Sequence, residues 1–295
     1  MKRLLSFLLL LLLCMAMLSS CVTVTTGGGE RPSADVLLEQ MRPYVHISFD
    51  DMEKTFLNLK TKDYESLWDE PFLAALKEAH EGYGACFSLY VWKDVLHDQP
   101  TRYQEEWQSA ADWLRIGLHS DADGNFAEAD YARGKAAWEH FVADVYAMTG
   151  TYNILDRIPR LHNFAGNAEA LRGMHDAEHG ALGFLAADDG RISYDLTEAE
   201  NTQLRAADLY ICHQRLYVPT DLRFENHRDE SIYEVLCEKW GNAPTEKCFI
   251  LFTHEYELYD GETVNENFAW IDEAALYFDE QGIAFGYSPE LYFQS

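Results

Sequence analysis

Positive charge is scarce in this chain. Lysine and arginine together number 23 against 50 aspartates and glutamates, a formal net charge of −27 over 295 residues. A nucleic-acid backbone is itself a dense polyanion and is repelled by such a surface, so nucleic acid is not an expected partner. No glycine-rich loop follows any strand-like run, which removes the phosphate cradle expected of an open doubly wound sheet. Cysteine is sparse: six in all, with Cys14 and Cys21 near the N-terminus and Cys86, Cys212, Cys237 and Cys248 in the body. Four cysteines allow three pairings, and sequence does not choose among them. Cys86, Cys212 and Cys248 fall in apolar runs, where a buried thiol packs as readily as a bridge forms. No internal repeat is found, and no boundary divides the body.

Apolar residues make up 47% of the chain and aromatics 14%, enough for a large core. The first of the apolar material is an address. Lys2 and Arg3 precede an almost wholly apolar run from Leu4 to Leu18, followed by Ser19, Ser20 and Cys21. That order predicts a secretory signal peptide over residues 1–20, and small residues before a cysteine resemble the bacterial lipobox, cut before Cys21 and lipidated on it. Cleavage removes two cations, Lys2 and Arg3, and takes the formal charge from −27 to −29. Residues 21–34, rich in threonine and carrying Gly27-Gly28-Gly29, read as a flexible tether. The expected location is the outer face of a bacterial cell membrane or envelope, with the membrane as a partner through the lipidated cysteine. The closing Glu290–Ser295 stretch reads as a tag remnant or an aromatic tail.

Residues 35–295 form the single expected domain. Helix and strand patterns alternate along it. Strand-like runs cover Val45–Phe49, Ala85–Trp92, Trp113–His119, Ile158–Leu161, Leu182–Ala187, Leu209–His213 and Cys248–Thr253. Helical patterns lie between most of them, among them Phe72–Ala79, Lys135–Thr149 before Gly150, Asn167–His179, Glu198–Ala206, Ser231–Trp240 before Gly241, and Phe268–Gln281. Alternation of this kind implies parallel pairing through right-handed crossovers. The strand runs are apolar on both faces, as a covered parallel sheet requires. The fold class is therefore α/β, a distorted (β/α)7 barrel related to the TIM barrel.

In such a barrel the chemistry gathers at the carboxyl ends of the strands. Here those ends carry Asp50 and Asp51, then His119, Asp121 and Asp123, Arg160 and His162, Asp188 and Asp189, His213 with Glu225 beyond it, and His254 with Glu255. Acids, histidines and an arginine from several strands are the composition of a hydrolytic metal site. Adjacent carboxylates are costly to ionise together without a cation or a base role. Each group also has a plainer reading. Asp51 suits a helix start, Arg160 a rim ion pair, and His254 a hydrogen-bonded core position. His175 and His179, an HxxxH late in a helix, fit the carbonyl end of that helix better than a metal.

The four clusters together resemble the polysaccharide deacetylase family. Ser48-Phe49-Asp50-Asp51 is similar to its first motif, and Gly117-Leu118-His119-Ser120 through Asp123 to its second. Arg160 through Gly166 is similar to its third, and Leu251-Phe252-Thr253-His254 to its closing Leu-x-x-His. The resemblance implies a metal-dependent hydrolase that removes N-acetyl or O-acetyl groups from an acetylated glycan. Asp51, His119 and Asp123 would bind a divalent metal ion, Zn²⁺ or Mn²⁺. Asp50 would be the general base, Arg160 its support, and His254 the proton donor to the leaving group. His162, Asp189 and Glu225 are the expected substrate-binding residues. The sequence departs from the family pattern at Met52, where glycine is usual, and at Asp123, where the family has a second histidine. An Asp-His-Asp set is harder and more anionic than Asp-His-His, which widens the choice of metal.

Two other functions fit the same residues. One is a carbohydrate-binding barrel without catalysis. The other is a glycoside hydrolase with paired carboxylates, Glu225 and Glu255, which requires both to flank a glycosidic bond. Trp92 and Tyr194, aromatics near the rim, read first as packing.

Overall fold

The computed structural model describes residues 33–121, 124–241 and 244–288. The export segment with Cys21, nearly all of the tether, Asp123 and the Glu290–Ser295 tail lie outside the described residues.

The elements in order are α1 (Ala34–Gln40), β1 (Tyr44–Met52), α2 (Lys54–Thr61), α3 (Pro71–Tyr83), β2 (Phe87–Trp92), α4 (Gln104–Ala110), β3 (Leu114–Ser120), α5 (Tyr131–Thr149), α6 (Ala168–His175), β4 (Gly183–Ala186), α7 (Glu198–Arg205), β5 (Tyr210–Cys212), β6 (Arg215–Pro219), β7 (Leu222–Arg223), α8 (Ile232–Trp240), β8 (Cys248–His254), β9 (Tyr259–Asp260), β10 (Thr263–Val264), α9 (Ala269–Glu280) and β11 (Ala284–Phe285). Local chemistry sets the helix limits. Glu70 caps α3, accepting the N–H groups of Phe72 and Leu73, with Pro71 at the first helical position. Asp130 caps α5, and Gly150 ends it in the left-handed conformation.

The strands run β3-β2-β1-β8-β7, each pair parallel. On the other side β4 lies parallel to β6. Two joints close the wall. At the first, residues 155–161 pass between β3 and β4: Leu155 bridges Ile116, and the N–H groups of Leu182 and Leu185 donate to the carbonyls of Arg157 and Pro159 at 2.7 and 2.9 Å. At the second, β6 runs on into β7, with Thr220 N–H donating to Ala186 O and Asp221 N–H to Ile250 O. The result is the distorted (β/α) barrel.

Two strands differ from expectation. Ile158–Leu161 forms no regular ladder, because Pro159 has no N–H to contribute and breaks the pairing. Leu209–His213 is not the sixth wall strand. Its core, β5, folds back antiparallel on β6, and the wall position belongs to β6 and β7.

β1 is buried along its length except at Asp51, and β8 except at His254. Gly117 of β3 marks a close approach. A Cβ there would lie 2.6 Å from the Tyr90 ring and 3.1 Å from Pro159. Cys86, Cys212, Cys237 and Cys248 are free thiols. Among the described residues, no helix is long and apolar enough to cross a membrane.

Candidate active site

The site begins at the end of β1. The register with β2 slips between Phe49 and Met52, and Asp51 takes φ 55°, in the left-handed region. Successive strand side chains normally point to opposite faces. The slip turns Asp51 so that both acids serve one rim.

Asp50 is 2% exposed and is held by Arg160, itself 1% exposed. One guanidinium nitrogen donates to Asp50 Oδ1 and to Ser48 Oγ, each at 2.9 Å. The other donates to Thr220 Oγ1 at 3.2 Å, and the guanidinium lies 3.9 Å from the centre of the Phe252 ring. A planar fork with aromatic stacking and three acceptors is a demanding place for a cation, and only arginine fills it.

Asp51, His119 and His162 converge. Their ligand atoms lie within 4.8 Å of one another. His119 Nε2 is 3.3 Å from Asp51 Oδ1 and 3.3 Å from His162 Nδ1, and His162 Nδ1 is 3.8 Å from Asp51 Oδ1. His119 Nδ1 donates to the Arg160 carbonyl at 2.7 Å, which fixes the ring with Nε2 facing the cluster. Burial, with His119 next to it, holds the His162 imidazole below its ordinary pKa, so its neutral, ligating form is favoured. Burial raises the Asp51 carboxyl, but the hydrogen bond and charge of His119, helped by His254 and Trp92, win and bring it down to about 2. One oxygen and two imidazole nitrogens in one-sided convergence fit a divalent cation, and Asp51, His119 and His162 are the residues that could hold it.

Opposite stands His254. Its Nδ1 meets Glu225 Oε1 at 2.6 Å, and Glu225 Oε2 accepts from Thr253 Oγ1 at 2.7 Å. Burial lowers the His254 pKa, but Glu225 and the nearby Asp50 and Asp51 outweigh it, and the net shift is upward. Asp50, His119, Arg160, His162 and His254 share one small cleft of about 60 Å³.

The other expected residues fall elsewhere. Asp189 is paired with the exposed Arg191, which lines the cleft. Glu225 faces His254 rather than open cleft. Asp121 pairs with Arg133, and Asp188 with Arg223. His213 lies on Asp195, away from the cleft. Glu255 is 2% exposed and accepts the N–H groups of Glu53, Lys54 and Thr55 at the start of α2. This commitment takes Glu255 out of any carboxylate pair with Glu225. His175 bonds the Ala181 carbonyl, and His179 stacks on Tyr152 at 4.0 Å.

Sequence reasoning placed His162 at the substrate edge; the structure groups it with Asp51 and His119. Spacing gave no signal, because His162 opens a short 3₁₀ turn, His162–Phe164, just beyond the extended Leu161. Trp92 was also undervalued: its indole N–H donates to Asp51 Oδ1 at 3.0 Å.

No family model matches the sequence, and no curated protein does. Solved structures do match. A CE4 family pseudoenzyme from Bacillus anthracis aligns over 85% of this chain and 66% of its own, at 9% identity and a TM-score of 0.50. The chain thus spans just under two thirds of that protein. A peptidoglycan N-acetylglucosamine deacetylase aligns over 86% and 90%, at 10% identity and a TM-score of 0.44. A polysaccharide deacetylase ascribed to O-antigen biosynthesis in Bordetella bronchiseptica aligns over 80% and 92%, at 12% identity and a TM-score of 0.40. The chain has the fold of the CE4 polysaccharide deacetylases. At this identity the likeness is one of fold, and the chemistry has to be argued from the side chains.

Proposed function

We propose that this protein is a metal-dependent deacylase acting on an acetylated glycan. The observation that carries the reading is the meeting of Asp51, His119 and His162 beside the Asp50–Arg160 pair and the His254–Glu225 pair. A divalent cation held by the first three residues would polarise the acyl carbonyl and acidify a water molecule. Asp50, fixed in orientation by Arg160, is placed to accept a proton in the cleft and would be the general base. His254 donates Nδ1–H to Glu225, and that carboxylate favours the doubly protonated ring, whose second proton, on Nε2, would go to the departing nitrogen or oxygen. Two neighbouring acids thereby take separate tasks, Asp51 as ligand and Asp50 as base.

His162, rather than Asp123, completes the ligand set in this reading. The test compares metal content and acetate release for His162→Gln and Asp123→Asn on acetylated oligosaccharides. His162→Gln should weaken metal binding more than about tenfold and abolish release, with Asp123→Asn retaining both. The opposite pattern defeats the assignment. A second reading, a barrel that binds glycan without turnover, draws on the Trp92 indole, which already occupies Asp51 Oδ1. Glycan affinity indifferent to chelators, with no acetate released, would favour it. We further propose that Cys21 carries a lipid that holds the domain at the bacterial envelope; a Cys21→Ser chain that still incorporates labelled fatty acid refutes this.

A further inference from the structure

A second set of donors lies outside the cleft. β5 and β6 are joined by His213 and Gln214, both in the left-handed region at φ 49° and 64°. This tight turn carries Cys212 and His213 up to Glu200 on α7. Cys212 Sγ is 3.0 Å from Glu200 Oε1, His213 Nε2 is 3.8 Å from the same oxygen, and all three ligand atoms lie within 4.8 Å of one another.

Each donor is held from behind. Glu200 spends Oε2 on the N–H and hydroxyl of Thr197, both at 2.7 Å, in the capping box of α7. Oε1 is left for the cluster. His213 Nδ1 faces Asp195 Oδ2 at 3.2 Å, and Asp195 is in turn fixed by the Tyr217 hydroxyl at 2.7 Å and by Arg215. A carboxylate behind one ring nitrogen directs the other nitrogen's lone pair forward. Cys212 is the last residue of β5, in register with Arg215.

We propose that Glu200, Cys212 and His213 form a metal site, distinct from the cleft, for one borderline-soft divalent cation of the zinc class. Thiolate, imidazole and carboxylate with bonds of about 2.0–2.3 Å place neighbouring donors 3–4 Å apart around a tetrahedral ion, the spacing these three groups approach. On binding, the Cys212 S–H bond breaks, the proton leaves to solvent, and the sulfur bonds the cation. Glu200 Oε1 exchanges its S–H hydrogen bond for the same ion. Burial, with Glu200 beside it, pushes the free thiol up to about 11, so in the metal-free protein the sulfur keeps its proton. The cation would pin the β5–β6 turn to α7.

Cobalt(II) separates this site from the cleft. Asp51, His119 and His162 include no sulfur, so a thiolate-to-cobalt charge-transfer band reports only a cysteine ligand. Cobalt titrated into the reduced, full chain should produce that band, unchanged in Asp51→Asn. Cys212→Ser should abolish it. His213→Gln, at a half-exposed turn position, should raise the cobalt dissociation constant by about tenfold or more with an unchanged circular dichroism spectrum. The proposal is overturned by a folded wild-type chain without the band at saturating cobalt, by a band that survives Cys212→Ser, or by a His213→Gln titration that overlays the wild type.

Discussion

Replacing Arg160 with methionine keeps the stem and deletes the guanidinium. Arg160 and Asp50 are both almost wholly buried, and their 2.9 Å ion pair is the only bond given to Asp50 by a cation among the described residues. Removing one half of a buried pair strands the other, at a cost of about 3–5 kcal/mol. The bonds to Ser48 and Thr220 are lost with it. At this size about 2–4 °C of melting temperature accompanies each kcal/mol, so the variant should melt about 6–20 °C below wild type. The charge argument fixes a sign as well. Asp50→Asn placed on top of Arg160→Met removes the stranded carboxylate, so the double variant should be more stable than Arg160→Met alone. Urea and thermal unfolding of the four proteins, followed by circular dichroism with a chelator present, measure the full cycle. The reasoning fails if Arg160→Met lies within about 1 kcal/mol of wild type, or if the double variant is the weaker of the two.

Glu225→Gln should alter the pH dependence of stability. His254 holds its proton more tightly in the folded chain than at its ordinary value of 6.5, burial being outweighed by Glu225 and the rim aspartates. Its contribution is therefore complete below 6.5 and fades as the pH climbs through the raised folded value. Metal-free wild type should lose unfolding free energy as the pH rises from 6.5 through that folded value, and the variant should lose less; parallel curves would refute the assignment. Gly117→Ala should destabilise by about 1–3 kcal/mol, because the new methyl meets a rigid ring and a proline rather than a flexible chain end. An unaltered urea midpoint would show that the contact yields freely.

The barrel was legible because its strands are apolar on both faces and its helices carry their own punctuation. Lys135–Thr149 before Gly150 is an instance: the structure only extends it back to Tyr131, where Asp130 caps it. The β5–β6 hairpin was not legible. Its turn is His213-Gln214 instead of an asparagine–glycine pair, so nothing announced the reversal, and the strand after it passed unread. The same gap misplaced His213 at the rim. Asp50, Asp51, His119, Arg160 and His254 could be named because each ends a recognisable run. His162 could be named but not assigned, since its role depends on the turn at Asn163 and Phe164, both left-handed, which no local pattern foretells. Glu225 was named for the wrong neighbour. Its bond to His254 joins residues 29 apart, and sequence separation hides such pairs.

Arg160 is used twice, its carbonyl by His119 and its guanidinium by Asp50. It belongs to a stretch of wall without a regular ladder, where Pro159 has no N–H to give a neighbour. One histidine of the convergent cluster and the buried Asp50 carboxylate are thus tethered to the same residue, so any displacement of Arg160 shifts both sides of the cleft together.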